Sequence, residues 1–288
     1  MCSKSRALEV KRGSKLFTVW RMRKLILTVL PAVLTGLIIV AAPAHADFQT
    51  GWHAYQKGDF ATALGAWKKL ADKGDARAQF NLGVMYDEGR GVAEDLGQAI
   101  EYWGKAASQS HKQAQTNLGF AFLIGRGVPQ DFSQAANWLR KASLQGVNRS
   151  AYSLGKMYSD GLGVEKDDTE SFKWISVAAK SGIKQAQYNL GKMYRDGTGT
   201  SKDIEAAARW FLAAAKQGYA KAQNHIGVRL FRGEGISRDR VEALKWLILA
   251  ANAGNHLAKD NRRALGAQVS AKIRTQAEDR AKKWRPES

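Results

Sequence analysis

Cysteine is almost missing from this chain: a single thiol, Cys2, among 288 residues. It lies in a basic N-terminal stretch, so the rest of the chain can build neither a disulfide framework nor a thiolate metal site. Proline is scarce at four residues, and acids are outnumbered, 26 against 45 Lys and Arg, for a formal charge of +19. The apolar run from Leu25 to Val40 is interrupted by Pro31 and Gly36 and falls short of the roughly 18–20 residues wanted for a membrane span. Catalytic motifs are missing too. The Gly-x-Gly of "GLGVEKDD" has no Gly-Lys-Ser/Thr after it, as a phosphate loop requires, and no strand before it, as a dinucleotide fold requires. No Gly-x-Ser-x-Gly element occurs, and no carboxylate pair stands apart from a set of repeated Asp positions. His53, His111, His225 and His256 are not spaced like ligands of one metal ion. A catalytic residue would stand out as singular in a repeated sequence, and none does. The expectation is a protein without catalytic residues, metal or cofactor.

What is present begins at the N-terminus. Residues 1–46 hold eight basic side chains and one acid, Glu9. Within them, Met22 to Ala46 has a basic start, a short apolar run and a small-residue end, Ala44-His45-Ala46. That is the build of a secretory signal, with a mature chain starting at Asp47 and Met22 as an alternative start. Export to the periplasm or beyond is expected; an inner-membrane anchor through an uncleaved signal is the alternative. Beyond residue 46, 37 basic and 25 acidic side chains remain, a net of +12.

The remainder is dominated by a 36-residue step. Gly83, Gly119, Gly155, Gly191 and Gly227 keep it without drift, and so do the pairs from Gly89/Gly91 to Gly233/Gly235. A fixed period in this range marks stacked repeats. Five units follow: 76–111, 112–147, 148–183, 184–219 and 220–255. Each opens with apolar residues at i, i+4 and i+8, such as Ala186, Leu190 and Tyr194, one stripe of a helix. The Gly-x-Gly stops that helix. Asp95, Asp131, Asp167, Asp203 and Asp239 then cap a second helix, with Gln98, Gln134, Glu170 and Glu242 three residues on in a capping-box pattern. The second helix carries Tyr102, Trp138, Trp174, Trp210 and Trp246, expected as its buried column. Residues 47–75 read as a further helix pair, and 256–288 as capping helices.

The pattern Ala-x-x-x-Leu-Gly-x-x-Tyr-x-x-Gly-x-Gly-Val-x-x-Asp-x-x-x-Ala-x-x-Trp-x-x-x-Ala-Ala resembles the Sel-1-like repeat family, a relative of the tetratricopeptide repeats. "AYQKGDFATAL" (54–64) is similar to a tetratricopeptide repeat proper. The resemblance implies an all-α, right-handed superhelical solenoid of helix–turn–helix units whose concave face, lined by first helices, binds proteins or peptides. One branch of the family is cysteine-rich and binds β-lactams, which makes a weak β-lactam hydrolase a further alternative; this chain lacks those cysteines.

On that geometry the variable first-helix residues form the expected binding face: Arg77, Phe80, Asn81, Asn117, Phe120, Tyr152, Lys156, Tyr188, Lys192 and Lys221. Because they vary between repeats, Tyr152 and Tyr188 are expected to stand outside the packing stripe. Basic and aromatic residues mixed on one face suit an acidic or extended peptide. Nucleic acid is set aside because of export, and an anionic glycan or peptidoglycan is the alternative ligand. Asn81 and Asn117, with Arg77 nearby and Lys156 and Lys192 continuing the row, are candidates to clamp a peptide carboxylate; the competing reading is backbone bonding between repeats. His111 is placed at the end of a second helix, where a cation suits the dipole. His225 takes the place of Asn81, Asn117 and Asn189. A monomeric scaffold that regulates or assembles envelope proteins is the expected function.

Overall fold

The computed structural model describes residues 43–287. The export segment expected over 22–46 lies outside the described residues except for its last four, which open the first helix. Among the described residues there are fourteen helices and no strands. No helix there is long and apolar enough to cross a membrane. The described residues begin with α1 (Pro43–Gln56) and α2 (Phe60–Asp72). The first helices of the five units are α3 (Ala76–Glu88), α5 (Lys112–Ile124), α7 (Asn148–Asp160), α9 (Lys184–Asp196) and α11 (Ala220–Arg232). They alternate with the second helices α4 (Leu96–Ser108), α6 (Phe132–Leu144), α8 (Asp168–Lys180), α10 (Ile204–Lys216) and α12 (Arg240–Asn252). The chain closes with α13 (His256–Gly266) and α14 (Ala271–Lys283), the latter packed along α12.

Each second helix packs on the first helix of its own unit and then on that of the next. Neither helix can bury its stripe alone, so the core is continuous from unit to unit. One cluster of buried residues runs from Ala135 through Leu154 and Ile175 to Met193 without a break between repeats. This is an α-solenoid, held by nearest-neighbour contacts.

The Asp caps form as expected, each accepting from a backbone N–H at the third helical position, for example Gln98 N to Asp95 Oδ1 at 2.9 Å. The second half of the expected capping box does not. The Asp backbone N–H groups already donate to carbonyls of the preceding helix: Asp95 to Tyr86, Asp131 to Phe122, Asp167 to Tyr158. Freed from that duty, Glu170 accepts from the Trp174 indole at 2.9 Å, and Glu242 pairs with Arg280 at 2.6 Å.

The buried column of the second helix differs from the expected one by one residue. Trp67, Leu139, Ile175, Phe211 and Leu247 are almost wholly buried, and Trp103 nearly so. Trp174 and Trp246 are also buried, but Tyr102, Trp138 and Trp210 are only half-buried. The reason is the helix-interior glycine. Gly191 leaves its side of α9 flat, and the Phe211 ring lies where a Cβ would stand, 2.9 Å from it. Gly83 meets Trp103, Gly119 meets Leu139, Gly155 meets Ile175 and Gly227 meets Leu247 in the same way.

A second column carried no expectation: the buried amides Gln79, Gln115, Gln187 and Gln223. Each donates to a last-turn carbonyl of the preceding second helix, as Gln79 does to Ala71 O at 3.1 Å. Three also accept from a glutamine at the end of their own unit: Gln109 to Gln79, Gln145 to Gln115 and Gln217 to Gln187. These bonds satisfy helix-end carbonyls that would otherwise be orphaned. Where Ala151 replaces the first glutamine, Ser181 replaces the second.

Candidate first-helix binding face

The expected site residues lie on successive first helices, but several are engaged between repeats. Tyr152 on α7 accepts from Asn189 Nδ2 of α9 at 3.2 Å. Tyr188 on α9 packs against Phe211, Tyr219 and His225, with its hydroxyl 3.4 Å from His225 Nε2. Buried Asn224 accepts from Asn261 Nδ2 at 2.9 Å, one step further on. These partners are 37 residues apart, so each bond ties one repeat to the next. Tyr152 and Tyr188 are therefore packing residues as much as ligand anchors. The expectation that they stand outside the packing stripe is corrected.

Other aromatics of the face are partly covered by cations. The Arg77 guanidinium lies 4.4 Å from the centroid of Phe48 and bonds Asp75 at 2.6 Å; Arg149 lies 4.8 Å from that of Phe120. Phe80 stacks on His111 at 4.6 Å. His111 does not end a second helix as expected. It caps the N-terminus of α5, its Nδ1 accepting from Ala114 N at 3.3 Å, and burial lowers its pKa.

Three hollows follow along this side. The first, about 440 Å³, is lined by Phe48, Trp52 and Phe80 together with Gln49, Asn81 and Gln113. The next, about 210 Å³, has an apolar lining of Leu96, Ile100 and Phe120 with Asn117 and Arg149 beside it. The third, about 150 Å³, includes Lys156, Asn189, Lys192 and Asp196. Asn81 and Asn117 thus line different hollows and do not converge on one ligand group. Lys156 and Lys192 share the third, Lys156 in an exposed pair with Asp160 at 3.2 Å. Lys221 is exposed and makes no ion pair among the described residues. Among those residues no cluster of His, Cys, Asp or Glu could hold a metal ion.

His225 is the most perturbed group here. Burial first, then Arg195, Arg229 and Lys192, bring its pKa down to about 4, with Asp196 opposing them. The folded protein therefore keeps the ring neutral, while the unfolded chain protonates it near its ordinary value of about 6.5. Between those two pH values the unfolded state binds more protons, so stability held above about pH 6.5 is lost as the pH falls toward 4. The full shift corresponds to about 3–4 kcal/mol. Replacing His225 with Asn, the residue at the matching places 81, 117 and 189, is expected to flatten that part of the decline. Urea unfolding of both proteins at pH 7 and pH 4.5 checks it; equal losses for the two would assign the acid sensitivity elsewhere.

Comparison with known proteins agrees with this architecture. The Sel1 repeat matches residues 76–111, 112–147, 148–183, 184–219 and 220–255. No curated protein matches the chain. Among solved structures, the chain is 32% identical to c5321, a protective antigen present in uropathogenic Escherichia coli strains that displays an SLR fold, with a TM-score of 0.75 over 82% of this chain. The chain spans 54% of that protein's length. A Sel1 repeat protein from Oxalobacter formigenes is 27% identical with a TM-score of 0.66, the match covering 81% of this chain and 95% of the other. Repeat spacing, helix pairing and family match coincide over the same five units, and the chain belongs to the Sel1 repeat family.

Proposed function

We propose that this protein is an exported scaffold that binds protein partners along its first-helix side and brings envelope proteins together or regulates them. The protein-interaction role is general to Sel1 repeats; export, envelope partners and the choice of face are the proposal. The observation that carries it is the series of hollows along successive first helices, in which a recurring Asn (Asn81, Asn117, Asn189) is surrounded by side chains that change from one hollow to the next. Structural columns recur in every unit, whereas a surface that reads one partner along its length must vary. Export rests on the Met22–Ala46 pattern and predicts a mature chain beginning at Asp47.

Charge reversal tests the face. Lys156→Glu with Lys192→Glu is expected to weaken capture of envelope proteins about tenfold or more and to reduce its salt dependence. Both side chains are exposed, so the fold should survive. The control is Lys173→Glu with Arg209→Glu on second helices, where binding should hold. Loss in the control and not in the first-helix pair would place the partner on the opposite side.

A glycan-binding reading is favoured by one feature. Trp52 is exposed, stacks on Tyr55 and borders a hollow with three side-chain amides, Gln49, Asn81 and Gln113. Retention of purified peptidoglycan strands, abolished by Trp52→Ala, would support that reading over the scaffold.

A further inference from the structure

At the tenth place of each repeat stand Met85, Ala121, Met157 and Met193, all buried; in the last unit the residue is Arg229. Arg229 is buried as well, with 7% of its surface exposed. Its Nε is sealed from solvent with no hydrogen-bond partner. Its guanidinium lies 5.0 Å from the centroid of Phe211, a contact that offsets part of the lost hydration. No carboxylate among the described residues comes within ion-pair distance. The two opposing charges that act on it, Glu234 and Asp196, are held by Arg232 at 3.4 Å and Arg195 at 2.6 Å.

A buried cation without a counter-ion is strongly unfavourable, and an apolar residue of similar size is neutral or better. Four sister repeats use the apolar choice. The departure is confined to the spot where Lys192 and Arg195 of α9 add their charge to that of Arg229 around the His225 ring. Tyr188 borders the same spot and carries a hydroxyl.

We propose that the point where α9 meets α11, at Tyr188 and His225, receives a carboxylate from an acidic peptide segment of the bound partner, with Arg229 as its principal contact. The assignment rests on the protein-binding reading above and names the chemistry of one point on that face. The planar guanidinium matches a carboxylate in two parallel hydrogen bonds. Asp196 and Glu234 flank the site, which disfavours a polyphosphate chain and suits a single carboxylate arriving on an extended backbone. The bound anion supplies the counter-charge that the fold withholds from Arg229, and Lys192 adds long-range attraction.

The test uses the full-length protein and a fluorescent hexaglutamate peptide, measured by anisotropy. Arg229→Met is expected to move two readouts in opposite directions. The melting temperature rises by about 2–4 °C, because the sister-repeat residue is restored, while peptide affinity falls at least about tenfold. Arg229→Lys retains the charge without the fork and should keep part of the binding. Binding by free and amidated hexaglutamate alike assigns side-chain carboxylates as the ligand; binding by the free form alone assigns the C-terminal carboxylate. The proposal is overturned if wild-type protein does not bind hexaglutamate, if folded Arg229→Met binds it as wild type does, or if Lys173→Glu with Arg209→Glu loses as much. Tighter binding of a hexathymidylate oligonucleotide, lost in Arg229→Met, would transfer the site to nucleic acid. Failure here, with the Lys156 and Lys192 reversal still blocking protein capture, removes the carboxylate site and leaves the scaffold reading standing.

Discussion

Phe211→Ala is expected to destabilise the solenoid by about 3–5 kcal/mol, the range for truncating a large aromatic in a packed core, whereas Trp210→Ala next to it should cost under about 2 kcal/mol. The larger residue makes the smaller difference because burial, not size, decides the outcome. Phe211 is wholly buried, lies on the flat side of Gly191 and touches Tyr188 and His225. Its ring also supports Arg229. Removing it leaves a void that backbone on the α9 side cannot collapse to fill, and it strips a buried cation of its aromatic contact. Trp210 is only half-buried. Urea unfolding followed by far-ultraviolet circular dichroism distinguishes the two. Comparable losses for both variants would mean that the wrong column has been identified as the core.

That one-residue difference marks how far the sequence could be read. The 36-residue step fixes unit length, helix pairing, the glycine stops and the Asp caps, because each of these depends on residues close together in the chain. Which of two adjacent apolar columns faces the neighbouring helix does not. Trp138 and Leu139, or Trp210 and Phe211, are both apolar, and a shift of one residue turns a helix face by about 100°. The deciding signal was nonetheless present: Gly191 needs a partner, and Trp67 lies 36 residues before Trp103, in phase with the buried column and not with the Tyr102–Trp246 one. The amide ladder was equally legible, as an Ala-Gln pair near the start of four units.

The binding face was less legible. Variation between repeats was read as freedom from packing, yet Tyr152 and Tyr188 bond to residues 37 positions away on the next first helix. Such contacts leave no trace in the periodicity of a single helix. Arg229 is the reverse case, since its departure from a Met column could be seen in the aligned copies. What could not be seen is that the side chain stays buried instead of reaching out to solvent, and only burial turns an odd residue into an unmet charge.

The second large effect is expected from a pair of glycines two residues apart. Gly197 and Gly199 both sit in the left-handed region, at φ 74° and 68°, so alanine at either position carries a backbone strain of about 1–2 kcal/mol. Their surroundings differ. A Cβ on Gly197 would have Lys202 N as its nearest neighbour, at an ordinary contact distance of 3.5 Å. A Cβ on Gly199 would overlap the carbonyl oxygen of Asp168, at the start of α8 in the preceding repeat, and crowd Phe172. That obstacle is helical backbone, which cannot turn aside as a side-chain end can. Overpacking of this kind adds about 1–3 kcal/mol. Gly197→Ala should therefore cost about 1–2 kcal/mol, and Gly199→Ala about 2–5 kcal/mol. The two also differ in kind. Gly197 ends a helix within its unit, but Gly199 lets one repeat seat against the next, and in a solenoid that interface carries cooperativity. Gly199→Ala should broaden the unfolding transition and raise amide exchange on both sides of the third and fourth repeats, while Gly197→Ala lowers the midpoint of a transition that stays sharp. Equal losses with equally sharp transitions would show that backbone strain alone is at work and that the approach to Asp168 is relieved at little cost.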